Sequence, residues 1–148
     1  MRAMPVFYLV LKMLHFLGLA LGVGASFAML TLGIASRSLE PVERRNFMLR
    51  ALAVSKNGSF GFLLLVLTGL GMFFMRGPAS VMAAGGPAFH AKLTFVVITA
   101  GVLGYSQVLG KRARAAGDAK AMATLPKVGS ALLALGVTIV VCAVIAFQ

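Results

Sequence analysis

The stretch "LKMLHFLGLALGVGAS", residues 11–26, sits in a run apolar enough for a bilayer, yet it carries Lys12 and His15. The run extends over about residues 5–35, and residues 13–36 hold no Asp, Glu, Lys or Arg. A secretory h-region is only about 7–15 residues long and is followed by a small-residue cleavage site, whereas a spanning helix needs about 20 mostly apolar residues. The run therefore reads as a membrane span and not as a cleaved leader. Three further runs follow at 59–75, 89–110 and 128–147.

Composition agrees with that reading. The chain has 148 residues, 60% of them hydrophobic, and no tryptophan, with a mean hydropathy of +0.99; a water-soluble domain of this size is far less apolar. The expected architecture is all-α: one antiparallel four-helix bundle, integral to the membrane, over residues 1–148. Cys142 is the only cysteine, so no intrachain disulfide can form. No internal repeat of 20–50 residues is visible.

The net charge of +11 would point to nucleic acid in a soluble protein. Here the cations are sorted by loop. Arg37, Arg44, Arg45, Arg50 and Lys56 lie between the first two runs, and Lys111, Arg112, Arg114, Lys120 and Lys127 between the last two. Arg2, Arg76 and Lys92 remain for the other side, with Lys12 set apart as intramembrane. By the positive-inside rule the two rich loops are cytoplasmic and both termini face outward, which in a bacterial inner membrane is the periplasm. The basic loops are topology signals that also touch anionic headgroups; nucleic acid is not an expected partner.

Two connections carry local signals. In "SRSLEPVERRNFMLRALAVSKNGS" a proline near a helix start and an acid in the first turn open a helix. Phe47, Leu49, Leu52 and Val54 would line a helix that either lies at the interface or extends the second span inward. In "RGPASVMAAGGPAFH" glycine and proline are expected to break any helix, leaving a loop over the outer mouth of the bundle.

Helical periodicity places Tyr8, Lys12, His15, Gly18, Gly22, Ser26 and Met29 on one face of the first helix. Gly18, Gly22 and Ser26 form a small-xxx-small ladder that lets a second helix or a flat ligand approach the backbone. An ionisable residue at membrane depth costs at least about 2.5–3.5 kcal/mol, so its presence is by default a sign of a site. The bland alternatives are a Lys12 side chain that snorkels to the interface and a neutral His15 satisfied by a helix carbonyl or a hydroxyl.

The third run opens with "FHAKLTF", which brings His90 and Lys92 to the same half of the bundle as Lys12 and His15. All three acids, Glu40, Glu43 and Asp118, fall in the cytoplasmic loops. The outer half thus combines cations with no carboxylate, an arrangement that an anionic ligand bringing its own carboxylates would balance. Haem b fits: His15 supplies an axial ligand to the iron, Lys12, Arg76 and Lys92 pair with the propionates, and Gly18 and Gly22 leave room for the macrocycle. Metal ligation falls to His15, with His90 a second cofactor-binding candidate. The two histidines are offset by roughly 12–15 Å along the bundle, so joint ligation of one haem is not expected. Met13 and Met29 are other conceivable ligands with no spacing argument behind them. Histidine in a span also serves quinone sites and proton relays, but a carboxylate relay has no Asp or Glu to use. Thr94, Thr99, Tyr105, Ser106 and Gln107 read as hydrogen-bonding links between helices. No CxxC, HExxH, Walker-type or GxGxxG sequence occurs in a usable context.

Together, "LKMLHFLGLALGVGAS", "FHAKLTFVVITAGVLGY" and the basic loop "GKRARAAGD" resemble the HemJ-type protoporphyrinogen oxidases and related small membrane proteins. The resemblance implies a four-helix haem-b protein in which His15 is a haem ligand and Lys92 takes part in binding or oxidising the porphyrinogen. The implied reaction removes hydrogens from a porphyrinogen, with electrons passed to a quinone or a partner protein. Electron relay without substrate chemistry fits the same residues. A second resemblance, to membrane proteins whose first helix reads "LLKxLHxLG", implies no particular activity. The rival of another class is a non-catalytic membrane subunit, which packs into a larger complex or against a second copy through small-residue faces such as Gly58, Gly61, Gly69 and Gly71.

Overall fold

The computed structural model describes residues 6–115 and 118–146. Four helices follow one another: α1 (Val6–Ala35), α2 (Pro41–Arg76), α3 (Pro78–Ala115) and α4 (Ala119–Ala146), with a 3₁₀ turn at Ser36–Ser38 after α1. All four are long and apolar enough to cross a membrane, and no strand occurs among the described residues. The expected all-α, four-helix membrane architecture is therefore the one observed. Arg2 and the expected span ends at Pro5 and Phe147 lie outside the described residues.

The packing is inside-out relative to a water-soluble bundle. Large apolar side chains project from each helix, among them Phe16 at 58% exposure, Phe74 at 68%, Val97 at 72% and Val141 at 50%. A helix hides its own backbone polar groups, so such a surface suits lipid and would be an aggregation hazard in water. Inside, α1 packs chiefly on α2 and α3 on α4, and the two hairpins meet less extensively.

The α1–α2 contact depends on missing side chains. A Cβ on Gly61 would lie 2.6 Å from the Gly22 amide nitrogen and 2.7 Å from the Gly18 carbonyl oxygen, and one on Gly58 would meet Ala25 Cβ at 3.3 Å. Further along, Leu11 fills the space over Gly71. Small residues thus bring two backbones together where lipid gives no hydrophobic drive for association.

The helix α2 settles the first open connection. Its 36 residues make a rod of about 54 Å, against about 30 Å of hydrocarbon. Pro41 occupies its first turn with Glu43, and the helix runs unbroken into the second span, so the 41–58 segment extends that span and does not lie along the interface. Its apolar face is claimed by the bundle: Leu52 is buried with Leu109, Ala113, Ala121, Leu125 and Val128, and Leu49 packs against that cluster. The fourth helix also begins earlier than its hydropathy implies. The Asp118 carboxylate accepts hydrogen bonds from the Lys120 and Ala121 amides at 2.9 and 3.2 Å, a cap that starts the helix ahead of Pro126.

At the opposite end, the expected loop over 76–90 is mostly helical. Gly77, at φ +84°, makes the turn out of α2, and Pro78 begins α3. Residues 78–85 are rich in alanine and continue as helix. The break comes at Gly86, with φ 50° and ψ −148°, immediately before Pro87. This short first limb is held over the bundle end by Val81, which packs with Phe89 and Ala146, while Phe73 stacks on Phe89 at 5.9 Å. Only glycine adopts the Gly86 conformation readily. Gly86→Ala is expected to destabilise the protein by about 1–2 kcal/mol, measured as a lowered thermal midpoint in detergent. Gly110→Ala, whose Cβ would meet nothing within 4 Å, is the matched substitution expected to leave the midpoint unchanged or raised.

Candidate functional site

A cavity of about 1000 Å³ runs between the two hairpins, and all four helices line it. Its volume is at the upper end of what small-molecule sites enclose. Toward the Gly77 end its wall includes Tyr8, Lys12 and His15 from α1, Met72, Phe73 and Arg76 from α2, and Phe89 and Lys92 from α3. No carboxylate among the described residues lines it.

His15 is the best-defined group in the cavity. Its Nδ1 lies 2.9 Å from Thr68 Oγ1 on α2. The Thr68 hydroxyl has one proton, and it is directed at the Leu64 carbonyl, 2.6 Å away, with the Leu65 carbonyl at 3.3 Å. With the proton on that shorter bond the hydroxyl oxygen is left to accept, and the arrangement favours the tautomer in which Nδ1 carries the imidazole proton. In the neutral ring this makes Nε2 the nitrogen with the free lone pair. The expected alternative, a neutral histidine satisfied by a helix carbonyl or a hydroxyl, is met in both parts, since Nδ1 bonds the Thr68 hydroxyl and the Leu65 carbonyl also lies within hydrogen-bonding reach of the ring. Such a partner on the far nitrogen is how metal-ligating imidazoles are held in orientation.

The neighbour of Thr68 completes the seat. A Cβ on Gly69 would lie 3.4 Å from His15 Cε1, so α2 presents one residue to bond the ring and the next to make space beside it. Neither is conspicuous in the sequence. The "TG" pair becomes informative only once the antiparallel α1–α2 register sets it opposite His15.

The cations divide by position. Lys92 on α3 is half-buried, lines the cavity and lies within electrostatic reach of His15. Arg76 and Lys12 are exposed at its mouth. The Arg76 guanidinium stands 5.1 Å over the ring of buried Tyr8, within the range of a cation–π contact.

Several expected members fall elsewhere. His90 is exposed and does not line the cavity: the α3 face turned inward carries Phe89, Lys92, Val96 and Thr99, and His90, one step round the helix from Phe89, turns away. Gly18 is buried against α2, where its Cβ would meet the Gly61 oxygen at 2.9 Å and the Leu65 nitrogen at 3.0 Å. The space it leaves is taken by a helix, not by a macrocycle. Gly22 does line the cavity, and its nearest neighbours would stand 3.9 Å from a Cβ. Met13 is 72% exposed. Met29 lines the cavity but is about 21 Å further along α1 than His15, too far to reach the same iron. Of the polar residues on α3, Gln107 bonds Ser59 of α2 at 2.6 Å, whereas Thr94 and Thr99 bond their own helix and Tyr105 is exposed.

The described residues contain no group of three or more His, Cys, Asp or Glu able to hold a bare metal ion. A structural zinc needs about four such ligands. Haem iron arrives with four ring nitrogens of its own, so a single imidazole with a fixed tautomer suffices, and the donor set fits that group. No protein-family model, no curated protein and no solved structure matches the chain.

Proposed function

We propose that this chain is a haem-b-binding redox protein of the membrane, with His15 as the axial ligand. The observation that carries the proposal is the Thr68 hydrogen bond at Nδ1, which supports the tautomer with Nε2 as the ligand nitrogen of a ring that lines a large, mostly apolar cavity. Haem b would supply reversible one-electron chemistry at its iron. The chain's own residues would bind and orient it. Lys12, Arg76 and Lys92 would pair with the propionates at the Gly77 end, Gly22 would give clearance along α1, and Phe73 and Phe89 would close the end against water.

The HemJ resemblance adds a substrate to this site: protoporphyrinogen IX, whose carboxylates Lys92 would hold. Relay of electrons to a quinone or a protein partner uses the same binding residues. The orientation that goes with both is a bacterial inner membrane with the basic loops cytoplasmic and both termini periplasmic, as the distribution of Lys and Arg favours. The second reading is a non-catalytic subunit. The glycines expected to carry it, Gly58, Gly61, Gly69 and Gly71, pack against α1 of the same chain instead, and what favours it is Gly101 and Gly104, exposed glycines on α3 at which a Cβ would meet nothing within 4 Å.

The test is the absorption spectrum of detergent-purified protein expressed with ample haem supply. The expected result is a Soret band in the wild type that is lost in His15→Ala while the helical circular dichroism is kept. A colourless, fully helical wild-type protein would overturn the haem reading. Restoration of porphyrin oxidation in a deficient host then separates oxidase from carrier.

A further inference from the structure

The same cavity has a second cationic end. Arg37 of the 3₁₀ turn, Arg44 of α2 and Lys127 of α4 all line it, at the end remote from His15. Among the described residues none of the three is in an ion pair. Asp118, the acid nearest in sequence to Lys127, is engaged in capping α4.

Depth and direction bring this end to the membrane surface. Lys127 bounds the uncharged portion of α4, so it marks the level where hydrocarbon gives way to headgroups, and Arg37 and Arg44, at the turn from α1 into α2, stand further out. Side chains on a helix lean toward its N-terminus. Helix α4 starts at this end, so Lys127 leans toward headgroup level from within the bilayer. Beyond Lys127 the cavity is lined by Met29 of α1 and by Leu132 and Ile139 of α4; Gly33 of α1 leaves open space at its mouth, since a Cβ there would meet nothing within 4 Å, and α1 and α4 close together further in, where a Cβ on Gly136 would stand 3.4 Å from Val23.

We infer that this end is a binding site for an anionic glycerophospholipid, with the phosphate held by Arg37, Arg44 and Lys127 and one acyl chain inserted between α1 and α4. The opposite charges of cradle and headgroup, a largely apolar slot continuing from it, and the place of Lys127 at headgroup depth select this occupant. The site is independent of the haem reading, since it uses none of its residues.

Native mass spectrometry of detergent-purified full-length protein, titrated with phosphatidylglycerol or phosphatidylcholine, tests this. The expected result is retention of phosphatidylglycerol over phosphatidylcholine, reduced about tenfold or more in Arg37→Gln/Arg44→Gln/Lys127→Gln. Arg45→Gln/Arg50→Gln/Lys111→Gln removes the same charge at residues that do not line the cavity, and it is expected to retain the lipid. Gly33→Leu, at a position that lines the cavity and where a Cβ would meet nothing within 4 Å, fills the mouth of the slot and keeps every charge, and it is expected to lose the lipid. Equal loss in the two triple variants would reduce the site to general surface electrostatics and overturn the inference. So would equal retention of both lipids, unaltered binding in Gly33→Leu, or displacement of the lipid by inorganic phosphate.

Discussion

Gly61→Ala is expected to lower stability by about 1–3 kcal/mol, and Gly61→Leu by more, because the added atoms meet backbone and have nowhere to go. A Cβ at this position would stand 2.6 Å from the Gly22 nitrogen, 2.7 Å from the Gly18 oxygen and 2.8 Å from Leu21 Cβ. Two of the three are main-chain atoms, which no rotamer change can move. The helices must separate, and the loss spreads along α1–α2, the more extensive of the helix contacts. Gly22→Ala offers the contrast. Its Cβ would find its nearest neighbours at 3.9 Å, ordinary van der Waals distance, and alanine suits a helix better than glycine by about 0.5–1 kcal/mol. Thermal unfolding in detergent, followed by circular dichroism, should show a lowered midpoint for Gly61→Ala and an unchanged or raised one for Gly22→Ala. Equal midpoints for Gly61→Ala and the wild type would mean that the close approach does not govern the pairing.

Those two glycines also mark how far the sequence could be read. Hydropathy alone defines the spans, because a helix crossing lipid needs a long apolar run and little else. Periodicity alone places Lys12, His15 and Gly22 on one face, and the structure keeps that face toward the cavity. It could not say whether α2 or a ligand fills the space over Gly18, since both approach a glycine in the same way. The segment 78–85 was obscured by punctuation: Gly77, Pro78, Gly86 and Pro87 do break the backbone, but at two points, and the residues between them are good helix formers. His90 illustrates a different limit. Proximity to Lys92 in the chain says nothing about facing, and the azimuth of α3 is set by Phe89 packing with Val81 and Phe73. Thr68 was hidden most completely. Its role arises from the register of α1 against α2, which Gly18, Gly22, Gly58 and Gly61 fix through contacts that no local pattern encodes.

Thr68→Val keeps the shape of the side chain and deletes only the hydroxyl, and it is expected to release the tautomer of His15. In the wild type the Leu64 carbonyl at 2.6 Å is the closer acceptor for the Thr68 proton, which favours the oxygen accepting from Nδ1 at 2.9 Å. Valine offers no acceptor, and a buried N–H left without one costs about 1–3 kcal/mol. The ring then gains by moving its proton to Nε2, where the cavity is accessible, and this withdraws the lone pair from the ligand position. Nitrogen-15 spectra of the neutral imidazole in micelles read this directly. Protonated-type nitrogen is expected at Nδ1 in the wild type and in Thr68→Ser, which retains the hydroxyl, and at Nε2 or averaged between the two in Thr68→Val. With haem supplied, Thr68→Val should shift or weaken the Soret band while Thr68→Ser preserves it. An identical tautomer in Thr68→Val and wild type would refute the assignment even if haem binds. A colourless wild type with the tautomer change intact would instead leave Thr68 in place and remove the haem, so the geometry at His15 and the identity of its ligand are tested apart.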